Sequence, residues 1–197
     1  MDTSVMNIEE LEAWADNFNR EEIKKYKSDI GFLHDIAFNA GIRLAKEYGA
    51  DEQIVKVALA LMDSKLPEAS HLGVAKEHVS MALDKAKEIL KDNHVLNESV
   101  KENILKCIEE HHGVERFFSI ESEVVANADC YKFVHPKGVL YYASMLGRRF
   151  HDFDKELDQL NFKLNEKHNA ISLPMVKEEL ESYYQFFQKA IDSAKNK

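Results

Sequence analysis

ADEQIVKVALALMDSK, residues 50–65, is the stretch that decides the fold. Between Ile54 and Met62 a single lysine interrupts the apolar residues, and a helix that is apolar on all sides belongs in a protein interior. Asp51 is a favourable N-cap for this helix, which is predicted to end near Asp63. The stretch therefore predicts a buried central helix that delivers Met62 and Asp63 to the interior.

Amphipathic helices are predicted on both sides of this central helix. Before it, Ser28 can cap a helix whose apolar face includes Leu33 and Leu44 and which Gly49 stops, and His34 lies on the same face. After it, the segment Ser64–Ser70 with its proline is predicted to be a loop. The next helix is then predicted to carry His71 and His78 on its apolar side.

Two later helices place further titratable side chains beside apolar residues. Asn97 caps a helix that finishes at His111 and His112, where a glycine ends it. Ser119 opens another helix, and Asp129 lies one turn beyond Val125, beside the apolar stripe of that helix. The remainder of the chain, about 138–194, reads as two or three amphipathic helices that Pro174 divides.

The composition favours helices throughout and restricts the function. Seven Gly and three Pro in 197 residues are too few for the many turns of a β-sandwich or barrel, so an all-α protein is predicted. A net charge of -9 disfavours general nucleic-acid binding and binding to anionic membranes. The acidic N-terminal stretch does not resemble a signal peptide and no segment has the length of a membrane span, which favours a cytoplasmic location.

The unusual feature of the pattern is a set of titratable side chains on inward faces. Burial of any one of them costs several kcal/mol unless it is paired or bound to a ligand. Either each has its own structural hydrogen bonds, or all share one polar centre, and the shared centre is the more economical interpretation. The set consists of His34, Asp63, His78, His111 and Asp129.

The order of these residues resembles the HD-domain superfamily of metal-dependent phosphohydrolases. A histidine in the first core helix, a pair at the end of an apolar helix, later histidines and an aspartate in VVANADCY follow that family's order. The resemblance covers about residues 28–135 and implies an HD-like helical bundle. In this interpretation residues 1–27 form an N-terminal helical flank, and 136–197 are C-terminal helices that pack on the same domain.

The resemblance also implies roles for individual residues. It places His34, Asp63 and Asp129 at metal-ligand positions. The additional histidines of the family hold a second ion in its two-metal members and elsewhere contact the phosphate or transfer a proton. The catalytic candidates are His78, His111 and His112. The substrate-binding candidates are Lys65 and His71.

One position departs from the family pattern, because Met62 stands where the histidine of the His-Asp pair is expected. A thioether is a soft, weak ligand for the cations that this chemistry uses. Three protein ligands can still hold an ion; Mg²⁺ or Mn²⁺ is favoured, with Fe, Ni or Zn as alternatives. A second possibility is that His71 or His78 replaces the missing ligand.

Two functions of different classes follow. The first is a metal-dependent phosphohydrolase that acts on a nucleotide or another small phosphoester, weakened by the loss of one ligand. The second is a non-catalytic HD fold that serves as a binding or regulatory module. The retained polar set favours the first, and Met62 favours the second.

Overall fold

The computed structural model describes residues 3–195. Over this range the chain forms helices and no β-strand, which confirms the all-α prediction. No helix of residues 3–195 combines the length and apolarity needed to cross a lipid bilayer. The α-helices are α1 (Ile8–Lys25), α2 (Gly31–Tyr48), α3 (Glu52–Met62), α4 (Leu66–His71), α5 (His78–Lys91), α6 (Glu98–Glu110), α7 (Ile120–Val134), α8 (Pro136–Phe150), α9 (Phe153–Asn169) and α10 (Pro174–Lys195).

Most predicted helix ends are confirmed by the capping geometry. The Asp51 carboxylate accepts hydrogen bonds from the backbone of residues 53 and 54 at the start of α3. Asn97 and Ser119 cap α6 and α7 in the same way. Gly49 ends α2 in the left-handed region, with φ of 66°. Ser28 is the exception, because α2 begins at Gly31 after an N-cap residue without a side-chain hydrogen bond.

The predicted loop at Ser64–Ser70 is wrong. Residues Leu66–His71 form the short helix α4, and Pro67 lies in its first turn, where a missing N–H costs no hydrogen bond. Gly73 then takes φ of 79°, which breaks the chain direction before α5 begins at His78. Pro67 thus marks the start of a helix and not a loop, and His71 and His78 lie on separate helices.

Helix α3 is the centre of the molecule, as its apolar sequence predicts. Every residue from Ile54 to Met62 is buried except Lys56. Helices α1, α2, α6 and α7 all pack against it, and α2 and α7 also pack closely on each other. Helices α8, α9 and α10 form an outer group on α7. Asp63 at the end of α3 and Asp129 within α7 consequently reach the same interior region.

The connection between α7 and α8 depends on a close approach that only glycine allows. A Cβ atom on Gly138 would lie 2.3 Å from the backbone oxygen of Lys132, and backbone cannot move aside as a side chain can. Gly138→Ala is therefore expected to lower the free energy of unfolding by about 2–3 kcal/mol. Gly147→Ala in the same helix is the control, since its Cβ would meet only Glu156 Oε2 at 3.6 Å. Urea denaturation should show Gly147→Ala at or above wild-type stability; equal losses in both variants would contradict the steric argument.

Candidate functional site

Two aspartates and two lysines form an ion network in the interior. Lys132 Nζ donates a hydrogen bond to Asp63 Oδ2 and forms an ion pair with Asp129 Oδ1. Lys167 Nζ, which α9 supplies, lies 2.5 Å from Asp129 Oδ2. None of the four side chains is more than 9% exposed. The network thus joins α3, α7 and α9, and its two negative and two positive charges balance.

Mutual pairing keeps these groups ionised despite burial. Burial by itself would raise the pKa of both carboxyl groups, but Lys132 and the neighbouring charges more than offset it and hold the pKa of Asp63 and of Asp129 well below the usual range. Burial would also lower the pKa of Lys132, and the two carboxylates outweigh it and raise that pKa. All three groups are therefore charged near neutral pH.

This electrostatic arrangement predicts acid-induced unfolding. The pKa of Asp129 is depressed in the folded state, so its contribution to stability is present above the unfolded value of roughly 3.9 and is lost as the pH falls toward the folded pKa. Protonation of Asp129 is expected to make the melting temperature fall steeply below about pH 4. Calorimetry from pH 7 to pH 2.5 checks this, and a melting temperature that stays constant to pH 2.5 would contradict it.

Beside the ion network lies a cluster of three histidines, which we call the histidine cluster: His78, His111 and His112. His78 is the first residue of α5, and the other two follow the last residue of α6. One ring nitrogen from each histidine lies within 4.8 Å of the corresponding atoms of the other two. His78 and His111 are buried, whereas His112 is exposed, so the cluster reaches solvent on one side.

Backbone carbonyl groups fix the orientation of the two buried rings. His78 Nδ1 lies 2.8 Å from the Ala75 oxygen, and His111 Nδ1 lies 2.7 Å from the Ile108 oxygen. Because a carbonyl oxygen only accepts hydrogen bonds, each Nδ1 carries the proton. The Nε2 atom of the neutral ring then presents a lone pair, and His111 Nε2 has no hydrogen-bond partner among the described residues. This is the arrangement in which a histidine binds a metal ion and keeps its tautomer.

Asp63 connects the histidine cluster to the ion network. While its Oδ2 atom accepts from Lys132, its Oδ1 atom lies 3.4 Å from His78 Nε2 and 3.8 Å from His111 Nε2. Burial would lower the pKa of His78, but the facing Asp63 carboxylate outweighs burial and raises it. Burial dominates at His111 and lowers its pKa to about 4, so this ring is neutral near pH 7. A neutral imidazole and a carboxylate oxygen are both suitable ligands for a divalent ion.

His34 takes part in neither group. Its Nδ1 atom lies 3.1 Å from Asn19 Nδ2, and its Nε2 atom lies 3.6 Å from Asp16 Oδ1, so both contacts come from α1. It lies within ion-pair distance of neither Asp63 nor Asp129, and the space between those two carboxylates holds an ammonium group. His34 thus lies apart from Asp63 and Asp129, and a metal role for this set stays a prediction.

The two substrate-binding candidates also lie apart from the buried groups. Lys65 forms ion pairs with Glu22 at 2.8 Å and with Glu68 at 2.9 Å. His71 is exposed, and its ring stands 5.4 Å from that of Tyr26. No hydrogen bond or ion pair between described residues joins either of them to the histidine cluster. Their role in substrate binding stays a prediction.

Comparison with known proteins gives one informative likeness. No family model matches the sequence, and no curated protein matches it. Among solved structures, the chain is similar to a protein of an uncultured Thermotogales bacterium described as a predicted HD superfamily hydrolase. The TM-score is 0.64 at 16% identity, over 92% of this chain and 89% of the other. This likeness confirms the predicted HD-like fold.

Proposed function

We propose that the protein is a metal-dependent hydrolase of a nucleotide or another small phosphoester, and that its divalent ion is bound by the histidine cluster. The observation that carries the proposal is the convergence of three ring nitrogens within 4.8 Å, two of them on rings whose tautomer a backbone carbonyl fixes. An unliganded cluster of this kind would leave His111 Nε2 buried without a partner among the described residues. A bound ion satisfies that atom.

The donor set indicates which ions are suitable. Three imidazoles favour Zn²⁺, Fe²⁺ or Ni²⁺ over Mg²⁺, which prefers oxygen ligands. Asp63 is the proposed fourth ligand, because its Oδ1 atom lies 3.4 Å from His78 Nε2 and 3.8 Å from His111 Nε2. The exposed edge at His112 leaves a side for water and a substrate to approach. An ion here supplies a Lewis acid for a phosphoryl oxygen and lowers the pKa of a bound water.

The chain's own residues then have distinct tasks. His78 and His111 orient the centre through their backbone carbonyl contacts. Lys132 keeps Asp63 ionised, so that its free oxygen remains a ligand or a hydrogen-bond acceptor for water. The balanced ion network places no excess negative charge beside an anionic phosphoester, which would otherwise be repelled.

Metal analysis of the wild-type protein tests this function. The protein is purified without chelator or added metal, its ion content is measured by mass spectrometry, and binding of Zn²⁺, Ni²⁺ and Mn²⁺ is titrated calorimetrically. One ion per chain is expected. Loaded protein is then assayed against nucleoside mono-, di- and triphosphates, cyclic dinucleotides and a chromogenic phosphoester. Absence of both stoichiometric binding and turnover would contradict the proposed hydrolase.

The second candidate, a non-catalytic binding or regulatory module, is favoured by a different observation. Lys132 occupies the space between Asp63 and Asp129, which are the carboxylates that the family resemblance assigns to the metal. A chain that replaces a catalytic ion by an ammonium can keep the fold without turnover. A protein that binds one ion but hydrolyses none of the phosphoesters above would support this candidate instead.

A further inference from the structure

The region between Asp63 and Asp129 requires a positive charge. Two buried carboxylates that face one point repel each other unless a cation lies between them. In this chain the cation is the ammonium group of Lys132, which contacts Asp63 Oδ2 and Asp129 Oδ1 together. Lys132 lies one helical turn after Asp129 on α7, so the helix itself directs the lysine toward its carboxylate partner.

Lys167 completes the charge balance of this region. Its ammonium lies 2.5 Å from the second oxygen of Asp129, and its side chain is 1% exposed. The two buried carboxylates thus carry two negative charges and the lysines two positive charges; Glu166, which is 28% exposed, lies farther from Lys167, at 3.8 Å. A divalent ion added between the carboxylates would leave a buried excess of two positive charges and would have to displace Lys132 from both partners. Burial of uncompensated charge is strongly unfavourable.

We propose that Lys132 is a built-in cation of this centre, which takes the position between Asp63 and Asp129 that a divalent ion would take. The chain then has a fixed cation in the ion network. It also has one exchangeable ion position in the histidine cluster, and this position rests on the proposed function. Asp63 links the two, with Oδ2 on the fixed ammonium and Oδ1 toward the histidines.

With Lys132 fixed between the carboxylates, the centre can use only one exchangeable ion for hydrolysis. Hydrolysis that relies on two ions 3.5–4 Å apart, one for the attacking and one for the leaving oxygen, is not available to such a centre. The substrate class that fits is a phosphoester whose cleavage needs one Lewis acid.

Equilibrium dialysis against Mn²⁺ tests the fixed cation, because Mn²⁺ binds well to oxygen ligands. Removal of the ammonium in Lys132→Ala should add one bound Mn²⁺ per chain relative to wild type. The added ion should disappear again in the double variant Lys132→Ala/Asp129→Asn. Lys65→Ala is the matched control, because Lys65 also joins two carboxylates, Glu22 and Glu68, but at a more exposed position. This control should gain no ion.

Three results would overturn the proposal. These are a wild-type protein that already binds two ions, a folded Asp129→Asn variant that has lost the wild-type ion, and a folded Lys132→Ala variant that binds no more Mn²⁺ than wild type. A wild-type protein that binds no ion contradicts only the proposed function, since the gain in Lys132→Ala would still show that the ammonium had filled a cation position. The two failures are therefore distinguishable.

A measurement on the wild-type protein covers the case in which Lys132→Ala does not fold. Buried ammonium groups in ion pairs exchange their protons slowly, so Lys132 should give a resolved ¹⁵Nζ signal. Zn²⁺ is added at a twofold molar excess, and the signal is expected to persist. Loss of the signal on addition of Zn²⁺ would show that an ion displaces the lysine and would overturn the proposal.

Discussion

Asp129→Ala is expected to lower the free energy of unfolding by about 3–5 kcal/mol, because it leaves Lys132 and Lys167 buried without a shared partner. When one member of a buried ion network is removed, the remaining charges stay desolvated without a compensating partner. The loss is thus larger than the net contribution of the network itself. Urea denaturation followed by circular dichroism measures it.

A surface ion pair with the same distance between nitrogen and oxygen provides the control for Asp129→Ala. Lys195 Nζ lies 2.5 Å from Asp158 Oδ1, the same separation as between Lys167 and Asp129, but the Asp158 side chain is 72% exposed. Asp158→Ala is expected to change stability by less than about 1 kcal/mol. If the two variants lost equal stability, burial would not be the cause and the argument from desolvation would be wrong.

The second large effect is expected on ion binding. Loss of one imidazole in His111→Ala or in His112→Ala should weaken divalent-ion affinity by roughly 10³-fold, about 4 kcal/mol, and reduce any hydrolysis in parallel. His112 is exposed, so its removal leaves the core intact and separates ligand loss from unfolding. Titration calorimetry with Zn²⁺ gives the affinity, and thermal denaturation confirms that each variant is folded.

His94→Ala is the matched control for the histidine variants. His94 is exposed, and its Nδ1 atom lies 2.8 Å from the Asp92 carbonyl oxygen, so it shares the local contact of His78 and His111 without belonging to the histidine cluster. Its removal is expected to leave ion affinity unchanged. Equal affinity in wild type and in both cluster variants would contradict an ion site at these histidines.

The fold could be predicted from the sequence because its signals are local. The apolar run that ends at Met62 and the caps at Asp51, Asn97 and Ser119 each depend on neighbouring residues, and the structure confirms them. Pro67 shows the limit of such signals, because a proline marks either a loop or the first turn of a helix. Only packing around the residue decides between the two.

The site was predictable only in part, because its partners come from distant parts of the chain. Periodicity predicts that His78 and His111 face inward, and the family resemblance adds His112. The structure brings these three together. Lys132 carried a signal that was available, since it follows Asp129 by one turn within an apolar stretch. Lys167 carried none, because a lysine in a charged amphipathic helix usually faces water.

The contacts of His34 with the N-terminal helix α1 were likewise not predictable from the sequence. Its partners Asn19 and Asp16 lie on α1, whose many charged residues are typical of a solvated helix. Asn19 is nevertheless 1% exposed in the structure. Sequence periodicity assigns a residue to a face of its own helix, but it does not identify the helix that will cover that face.

The origin of Lys167 has a consequence for how the protein is made. Ribosomes synthesise Asp63, Asp129 and Lys132 before Lys167, so a nascent chain that lacks α9 would enclose two carboxylates with a single ammonium. The ion network becomes electrically neutral only when α9 has emerged and docked. We therefore expect the bundle to close late in synthesis, with the arrival of α9 as the step that commits the earlier helices to their final arrangement.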